Sequence, residues 1–491
     1  MKELYSLCRD AGIFCPAGME HLPISGIVSD SRKVTPDCLF VAIRGLHRNG
    51  EDHIKEALDK GASAVLSERI PLAVADRCIA VPDARAALAC LLDAWYGMPS
   101  EHMKMIGVTG TNGKTTVACM LNAILTGAGH RVGLIGTLGA FADGELIPQE
   151  CDNELANLTT PDPAELYRIL SLMEEKGCEY VVMEASSHSL ALGKVAPIRF
   201  DTAIFTNLTQ EHLDFHKTME GYLEAKEKLF RNCRTAIVNC DDPYAKEILS
   251  VCPGKVITCG AFGDFRAEHA DVSDFRGVSY TLKTATETMD VLCPVPGSFM
   301  VMNSLEAVAC GEELGIPLDT ICSSLASFRS VPGRMESVLP DSADVKVIID
   351  YAHTPDALEK LLRTAREMRG ENTGRLTVLF GCGGDRDPGK RREMGAIASK
   401  LADFVIVTSD NSRSEDPVEI IRQILGGVDR EKEHIAITSR REAIRYAVEN
   451  AKPGDMIILA GKGHETYEID RTGRHPFDER AEVQNAYRNR H

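Results

Sequence analysis

The chain has 491 residues, of which 44% are hydrophobic and 26% are charged. This length exceeds what one hydrophobic core usually supports, so we expect roughly three domains of an ordinary globular protein. The formal net charge of −17 argues against a general role in binding nucleic acid or membrane surfaces, because both require a basic face. Any anionic substrate must therefore meet local clusters of arginine and lysine.

The N-terminus and the cysteine pattern favour a cytoplasmic location. Residues Met1 to Tyr5 mix charges and lack the apolar segment of a signal peptide. No run approaches the ~20 apolar residues of a membrane span, so we expect no membrane insertion. The sixteen cysteines are scattered without a Cys-x-x-Cys pair. This pattern disfavours zinc and redox motifs and is typical of reduced thiols in the cytoplasm.

The first predicted domain, residues 1–99, is a small α/β domain. Its apolar runs predict strands at 24–28, 38–43, 62–66 and 78–81. An amphipathic pattern predicts a helix over 53–60. The polar segment Asp30-Ser31-Arg32 follows the first of these strands, and from the residues alone it could be only a turn.

The second predicted domain, residues 100–332, alternates apolar strands with helical segments. The predicted strands cover 105–108, 132–135, 180–183, 203–205, 236–239 and 255–259. This alternation predicts a mostly parallel, doubly wound sheet. In such sheets ligands bind beyond the carboxyl ends of the strands, so the residues directly after each strand are the candidates for function.

A glycine-rich turn follows the first of these strands, where residues 106–116 read IGVTGTNGKTT. An apolar helical pattern comes next, which is the context of a phosphate loop, whose backbone amides and helix dipole bind phosphate. Lys114 is predicted to reach the terminal phosphates, and the hydroxyl of Thr115 is predicted to ligate magnesium. Val108 stands where the usual Walker spacing has its first glycine, so the spacing alone indicates nucleotide binding less strongly than the full string.

Polar residues also follow two other strands of this domain. Glu184 comes directly after the strand 180–183, and an acid beside a phosphate loop is suited to hold magnesium. The strand 203–205 leads to Asn207 and His212, and from the residues alone His212 could be a structural histidine.

Composition alone would make Lys226 a solvated position on a helix, because Glu and Lys surround it.

The third predicted domain, residues 333–491, is a second α/β domain of Rossmann-like type. Its strands are predicted at 345–350, 376–380, 404–408 and 456–459. Each strand leads into a polar segment, and the segments begin at Asp350, Gly381, Ser409 and Gly461. Four such segments on one edge of a sheet predict a substrate cleft.

Nine motifs between residues 24 and 468 resemble those of the Mur ligase family, in the family's order. They read SDSR, GTNGKTT, EASSH, TNLTQEHLDFH, PGR, DYAHTPDALE, GCGGDRDPGKR, SDNSR and AGKGHE. The resemblance is to the members that add the third residue of the peptidoglycan stem peptide. It implies an ATP-dependent acid–amino-acid ligase of peptidoglycan synthesis, and so a role in cell wall biogenesis, cell shape and cell division.

The resemblance also implies the reaction and its catalytic residues. ATP would phosphorylate the glutamate carboxylate of a UDP-N-acetylmuramoyl dipeptide, and the amine of the incoming amino acid would attack the acyl phosphate. Catalysis and magnesium binding would belong to Lys114, Thr115, Glu184, His212 and Lys226, the last as a carbamate. Both substrates are small molecules, no nucleic acid is implied, and protein partners are not predicted.

Contacts to ATP and to the uridine substrate follow from the same resemblance. Those implied for ATP are Gly110, Thr111, Asn112, Gly113, Lys114, Thr115, Thr116, Asn207, Asn303, Arg334, Asp350 and His353. Those implied for the uridine substrate are Ser31, Thr159, Thr160, Ser187 and Lys194. Two positions in these contact segments depart from the family: Met300 replaces an asparagine, and Lys194 replaces an arginine and so cannot pair with an acid bidentately.

Enzymes of this type take either meso-diaminopimelate or L-lysine, which differ by one distal carboxylate. The diaminopimelate version of the family carries Asp-Asn-Pro-Arg, and this chain has Ser412 in place of the proline. Because Arg413 is retained and can grip a carboxylate bidentately, we expect meso-diaminopimelate. The residues implied to bind it are Arg386, Asp410, Asn411, Arg413, Gly461 and Glu465.

Two other classes share part of these features. A ligase like folylpolyglutamate synthetase would have the phosphate loop and the domain plan, but it would not explain SDSR or SDNSR. A non-catalytic nucleotide-binding scaffold would explain the phosphate loop alone.

Overall fold

The computed structural model describes residues 1–45, 49–150, 158–273, 277–340, 342–369 and 374–490. The chain forms two compact units, Met1–Arg266 with Glu306–Ile321 and Ala267–Leu305 with Cys322–His491. Across the described ranges, no helix combines the length and the apolar character needed to cross a bilayer. The α/β class and the plan of three domains are as predicted. The boundaries after residues 99 and 332 stay a prediction.

The first unit begins with the small N-terminal α/β domain. Its elements are β1 (Lys2–Glu3), α1 (Leu4–Asp10), β2 (Pro23–Ile24), β3 (Ile27–Val28), β4 (Leu39–Ala42), α2 (Ile54–Asp59), β5 (Ala64–Ser67), β6 (Cys78–Ala80) and α3 (Ala84–Trp95). Strands β3 to β6 form a parallel sheet in chain order. Every residue of β4 and β5 is buried, as in parallel strands covered on both faces. The single strand predicted over 24–28 is wrong, because Ser25 and Gly26 separate β2 from β3.

The central domain of the first unit is a doubly wound sheet. Its elements are β7 (Lys104–Thr109), α4 (Lys114–Gly127), β8 (Val132–Gly136), β9 (Gly139–Ala142), β10 (Glu145–Leu146), α5 (Pro163–Glu175), β11 (Tyr180–Glu184), α6 (Ser187–Ala191), β12 (Phe200–Phe205), α7 (Leu213–His216), α8 (Met219–Arg231), β13 (Cys233–Asn239), α9 (Ala245–Val251) and β14 (Lys255–Cys259). The strand order is β10-β9-β8-β11-β7-β12-β13-β14. All six predicted strands are present and parallel, and β9 and β10 add an antiparallel edge.

The register of the sheet places the carboxyl ends of its middle strands side by side. Glu184 at the end of β11 pairs with Val108 of β7. On the other side of β7, Thr109 pairs with Phe205, the last residue of β12. The loops that follow β7, β11 and β12 therefore leave the sheet from one edge, as the sequence predicted.

The chain then forms β15 (Arg266–Asp271), β16 (Val278–Lys283) and β17 (Thr288–Cys293), followed by α10 (Phe299–Glu313) and α11 (Leu318–Ser327). Strands β15 to β17 make a three-stranded sheet, in which β16 and β17 are antiparallel. This sheet was not predicted, because β15 has no buried residue and β16 and β17 alternate more buried with more exposed residues, so that the sheet has no continuous apolar run.

The C-terminal domain lies in the second unit. Its elements are β18 (Glu336–Ser337), β19 (Lys346–Asp350), α12 (Pro355–Arg369), β20 (Leu376–Phe380), α13 (Gly389–Leu401), β21 (Phe404–Val407), α14 (Pro417–Leu425), β22 (His434–Ala436), α15 (Arg440–Glu449), β23 (Met456–Ala460), β24 (Tyr467–Asp470), β25 (Gly473–Pro476) and α16 (Glu479–Arg490). The strand order of the main sheet is β18-β19-β23-β20-β21-β22, and all pairs after β18 are parallel. Helices α12, α13 and α14 pack on one face, and α15 and α16 pack on the other.

A buried ion pair joins the last two helices to this sheet. Arg440 at the start of α15 and Glu479 at the start of α16 are both fully buried, with 2.7 Å between Nε and Oε1. The guanidinium also donates to the carbonyl of Ala460, the last residue of β23, at 2.9 Å. A buried charge needs such partners, because an unpaired one is costly. The pair therefore fixes the point from which the loop after β23 starts.

Candidate active site

The turn between β7 and α4 has the geometry of a phosphate loop. Gly113 precedes the first residue of α4 with φ of +89°, a left-handed conformation that favours glycine. Lys114 then begins the helix, and its Nζ donates to the carbonyls of Gly110 and Thr111, both at 2.9 Å. The ammonium group and the amides of the helix N-terminus thus lie at one place, which suits an anion.

Asn207 holds this loop from the neighbouring strand end. Its Oδ1 accepts from the amide of Asn112 at 2.9 Å, and its Nδ2 donates to the carbonyl of the same residue at 3.1 Å. Its backbone carbonyl accepts from the amide of Thr111 at 2.9 Å. The structure therefore brings Asn207 against the phosphate loop, where its side chain fixes the loop's backbone.

Two of the four residues predicted to hold magnesium, Thr115 and Glu184, contact each other. Thr115 Oγ1 donates to Glu184 Oε2 at 2.9 Å, and Glu184 is only 1% exposed. Thr137, which follows β8, adds its amide to Oε1 at 2.8 Å and its hydroxyl to Oε2 at 3.1 Å. Thr137 was not predicted from the sequence, although it also follows a strand of the same sheet, as a candidate for ligand binding should.

Glu184 and Thr115 supply oxygen donors of the type that magnesium prefers. Within the described ranges, no group of three or more His, Cys, Asp or Glu side chains is arranged to hold a metal ion. A magnesium ion here would therefore need these two residues together with other oxygen donors, such as phosphate, water or a modified side chain.

The predicted contacts of the uridine substrate lie in three places of the first unit. Thr159 Oγ1 is 3.2 Å from Thr137 Oγ1, and Thr160 Oγ1 donates to the carbonyl of Glu184 at 2.7 Å. Lys194 is 8% exposed, and its Nζ lies 2.6 Å from Asp162 Oδ1. Ser31 lies in the N-terminal domain, at the start of a turn that the carboxylate of Asp30 caps.

Three histidines form a cluster, with His188 from the segment after β11 and His212 and His216 from the segment after β12. The ring of His188 is 4.8 Å from that of His212 and 5.4 Å from that of His216. His216 also contacts Ser187, with 2.9 Å between Nε2 and Oγ. Burial, followed by the charges of His212 and His216, lowers the pKa of His188 to about 4. Burial also lowers the pKa of His212; the charge of Glu211 opposes this shift, and the charge of Lys114 adds to it.

Lys226 lies beside this cluster and is buried. Its side chain is 1% exposed, and Nζ is 4.6 Å from the centroid of the Tyr222 ring. The interpretation from composition alone, a solvated helix position, is wrong, because α8 turns this face toward the protein interior. Burial, followed by the charge of Lys114, lowers the pKa of the Lys226 amine well below its usual value. Both effects favour the neutral amine.

The remaining residues predicted to contact ATP lie in the second unit. Asp350 ends β19, where its carboxylate accepts from the amides of Met335 and Ala352, both at 2.8 Å. Burial raises the pKa of Asp350, and the nearby Arg334 opposes that rise. Arg334 lies over the Tyr351 ring at 4.8 Å. His353 Nδ1 lies 2.9 Å from the Tyr351 carbonyl. Asn303 on α10 is 5% exposed.

The residues predicted to bind the amino acid meet at the carboxyl ends of β20, β21 and β23. Asn411 Nδ2 donates to Glu465 Oε2 at 2.8 Å, and the amide of Gly461 donates to the carbonyl of Asp350 at 3.0 Å. Arg413 Nη1 donates to the carbonyl of Gly384 at 2.9 Å. Burial pushes the pKa of Asp410 upward, but the charges of Lys462 and Arg440 hold it below its usual value.

Arg386 differs from the other predicted residues of this group. Its side chain is exposed, and Nη1 donates to the carbonyl of Asp385 at 3.3 Å. Lys462 was not predicted from the sequence as a site residue. It is fully buried among the predicted residues, within the motif that supplied Gly461 and Glu465.

A phosphate loop on a doubly wound sheet, followed by a second α/β domain, defines a P-loop α/β protein. Three family models match the chain: "Mur ligase family, catalytic domain" over residues 23–96, "Mur ligase middle domain" over 108–311, and "Mur ligase, glutamate ligase domain" over 333–463. The chain belongs to the Mur ligase family.

Individual relatives agree with this assignment. The curated UDP-N-acetylmuramoyl-L-alanyl-D-glutamate–2,6-diaminopimelate ligase of Clostridium botulinum (strain ATCC 19397 / Type A) is 43% identical over 468 residues, 94% of each chain. A solved structure of an enzyme with the same name is 32% identical over 100% of both chains, with a TM-score of 0.72. The structure of MurF ligase from Thermotoga maritima in complex with ADP shares the fold, with a TM-score of 0.59 and 20% identity over 96% of this chain and 98% of that one.

Gly136, the last residue of β8, gives a prediction about the Glu184 carboxylate. A Cβ at this position would lie 2.2 Å from Glu184 Oε1, and that carboxylate is buried and hydrogen-bonded. We expect Gly136→Ala to lower the free energy of unfolding by about 1–3 kcal/mol, the usual cost of overpacking. Chemical denaturation measures this change. Gly26→Ala is the control, because nothing lies within 4 Å of its Cβ. Equal stabilities of the two variants would contradict the close approach.

Proposed function

We propose that this chain is an ATP-dependent ligase that adds meso-diaminopimelate to UDP-N-acetylmuramoyl-L-alanyl-D-glutamate through an acyl phosphate. The observation that carries this proposal is 43% identity, over 94% of the chain, to an enzyme named for that reaction. The contact between Thr115 and Glu184 at the phosphate loop supports it, because it joins the loop to the acid expected at a nucleotide site.

The reaction needs positive charge, because two anions must meet before an uncharged amide forms. ATP first phosphorylates the glutamate carboxylate, and the amine then displaces phosphate from the acyl phosphate. Lys114 offsets the charge on the transferring phosphoryl group, and the amides at the start of α4 bind the phosphates. Asn207 keeps the loop in one conformation, so that the phosphates are held in line.

Magnesium, when bound, neutralises phosphate charge and stabilises the transferring phosphoryl group. Thr115 and Glu184 would hold one ion, with His212 as a further metal ligand, and carbamylated Lys226 would hold a second ion. The buried, neutral amine of Lys226 favours this modification, because only the unprotonated amine adds to CO₂, with release of a proton. The resulting carbamate gives a carboxylate-like oxygen ligand where the sequence has a lysine.

The two organic substrates are assigned to different residues. The uridine substrate would contact Ser31, Thr159, Thr160, Ser187 and Lys194. Lys194 is paired with Asp162 at 2.6 Å, so a substrate carboxylate would compete with that aspartate. ATP would also contact Asn303, Arg334, Asp350 and His353, in addition to the residues of the phosphate loop. The ADP complex of MurF, a protein of the same fold, supports nucleotide binding.

The amino acid would bind in the C-terminal domain. Arg413 would pair with the distal carboxylate of meso-diaminopimelate, and Arg386 would pair with the carboxylate at the reacting end. Asp410, Asn411, Gly461 and Glu465 would hold the ammonium group and the backbone of the ligand. The alternative amino acid is L-lysine. It stays an alternative because Ser412 stands where the diaminopimelate version of the family has proline.

The proposed enzyme acts in the cytoplasm, in the synthesis of the peptidoglycan precursor. Its products would supply cell wall biogenesis, and hence cell shape and cell division. The substrates are small molecules, with no nucleic acid or membrane insertion involved. The relatives at 43% identity favour this reaction over a folylpolyglutamate-synthetase-like ligase and over a non-catalytic scaffold.

Phosphate release tests the reaction directly. It is expected to require ATP, the UDP-N-acetylmuramoyl dipeptide and meso-diaminopimelate together. Lys114→Ala should reduce the rate by ~10²–10³, because one lost contact to the transition-state charge costs on the order of 3–4 kcal/mol. Lys104→Ala, at the opposite end of β7, is the control and should keep the wild-type rate. Wild-type ligation by Lys114→Ala at saturating ATP would refute the mechanism.

Lys226 gives a second test. Lys226→Ala should lose activity that bicarbonate does not restore, whereas short carboxylic acids should restore part of it by taking the place of the carbamate. Lys228→Ala is the control, because this exposed lysine lies on the same helix. Intact mass of the active wild-type enzyme should show the added CO₂. A fully active enzyme with an unmodified amine at Lys226 would remove this part of the proposal.

Arg413 tests the choice of amino acid. With L-lysine bound, its guanidinium would lack the distal carboxylate, and such sites can reject the analogue by roughly 10⁴-fold. Arg413→Ala should weaken the binding of diaminopimelate by at least ~2 kcal/mol. The variant should therefore discriminate less between diaminopimelate and L-lysine. The measurement is the ratio of kcat/KM for the two amino acids, with exposed Arg430→Ala as the control. A wild-type preference for lysine, or an unchanged ratio in the variant, would overturn the assignment.

A further inference from the structure

A fully buried lysine, Lys462, lies in the loop after β23, among the residues proposed to bind the amino acid. Its side chain is 0% exposed. Lysine is almost never fully buried unless it is paired, because desolvating an ammonium group is costly. The partners of Lys462 therefore indicate what its charge does.

These partners are Asn411 and Glu465. The Nζ atom donates to Asn411 Oδ1 at 3.0 Å and lies 3.4 Å from Glu465 Oε2. The side-chain nitrogen of Asn411, Nδ2, donates to the same Oε2 of Glu465 at 2.8 Å. The three side chains thus form a closed set of contacts in which the ammonium group faces both of the others.

This set fixes the orientation of the Asn411 side chain. Two donors, Lys462 Nζ and the backbone amide of Ile469, reach Asn411 Oδ1, each at 3.0 Å. An ammonium group and an amide hydrogen both need an acceptor, so the oxygen of Asn411 must point toward them. Its nitrogen then faces Glu465. Without the ammonium group, the amide would lose one of the two donors that select this orientation.

Lys462 also balances an excess of carboxylates. Burial raises the pKa of Glu465 and of Glu468, and Lys462 opposes that rise in both. Its charge also favours the ionised form of Asp410. Arg440, the other buried cation nearby, is paired with Glu479. Lys462 thus contacts one carboxylate, and its charge acts on two others, so the local excess of acidic groups suits a ligand that brings ammonium groups.

We propose that Lys462 is a positioning residue for the incoming amino acid, holding Asn411 and Glu465 in the arrangement that receives the ammonium groups of that substrate. Lys462 acts through these two side chains and does not itself contact the amino acid. The inference rests on the proposed ligase function and deepens it, because it adds a residue that controls binding of one substrate out of three.

The test is a comparison of KM values for all three substrates. Lys462→Met keeps the length of the side chain but removes its charge. We expect the KM for meso-diaminopimelate to rise at least about tenfold, while the KM values for ATP and for the UDP-N-acetylmuramoyl dipeptide stay within about twofold. The control is Lys400→Met, the same change at an exposed lysine of α13, which should leave all three KM values unchanged.

A double-mutant cycle tests whether Lys462 acts through Asn411. Asn411→Ala alone should also raise the KM for diaminopimelate. In Lys462→Met/Asn411→Ala the rise should fall well short of the product of the two single effects, because residues of one hydrogen-bonded set are not additive. If thermal unfolding shows that Lys462→Met does not fold, Lys462→Gln replaces it, since glutamine removes the charge and keeps an amide donor.

Three results would overturn the inference. They are an unchanged KM for diaminopimelate in Lys462→Met, an equal rise in all three KM values, and a multiplicative cycle. None of these results would contradict the proposed function, provided that the wild-type enzyme ligates diaminopimelate. Absence of diaminopimelate-dependent phosphate release from the wild type would instead refute the proposed function, and this inference would fall with it.

Discussion

The carboxylate of Glu184 is the contact on which the centre of the first unit depends. It is 1% exposed and accepts hydrogen bonds from Thr115 on α4 and from Thr137 after β8. A buried carboxylate that loses a donor pays the cost of its desolvation, about 1–3 kcal/mol for one unsatisfied group. The strand ends of β8 and β11 and the first turn of α4 are therefore held in one arrangement, and Asn207 adds the end of β12.

Each unit also buries a lysine at its site, and their surroundings give them different chemistry. Lys226 lies near the cation Lys114, so burial and repulsion both favour its neutral amine. Lys462 is surrounded by acidic groups and contacts Glu465 directly, so its charge has a partner. The first environment suits a lysine that reacts, and the second suits a lysine that holds its neighbours in place.

Strand ends could be predicted from the sequence, because the short apolar runs of β7, β11 and β20 lead into polar or glycine-rich segments, as is typical of buried parallel strands. The edge strands β9 and β10 and the hairpin of β24 and β25 could not be predicted, since each is only two to four residues long and all except β9 contain polar residues. Local composition also gave a wrong prediction for Lys226, namely an exposed position, because the burial of a helix face depends on what packs against it. The resemblance to the Mur ligases selected that lysine where periodicity alone did not.

The hairpin of β24 and β25 explains how the loop that carries Arg413 keeps its shape without the family's proline. A proline at position 412 would fix its own φ angle, which serine does not do. Ser412 is nevertheless buried, with 4% of its surface exposed. The amide of Arg413 donates to the carbonyl of Ile469 in β24 at 3.0 Å. The backbone amide of Ile469 in turn donates to the side-chain oxygen of Asn411 at 3.0 Å.

Arg413 itself has φ of +50°, a left-handed conformation that costs energy for a residue with a side chain. Such a conformation persists only where surrounding contacts determine it, and the hairpin on one side and the carbonyl of Gly384 on the other supply those contacts. The direction of the guanidinium therefore depends on contacts to other segments more than on the residue before it. The change from proline to serine is then compatible with the contact proposed between Arg413 and the distal carboxylate of diaminopimelate.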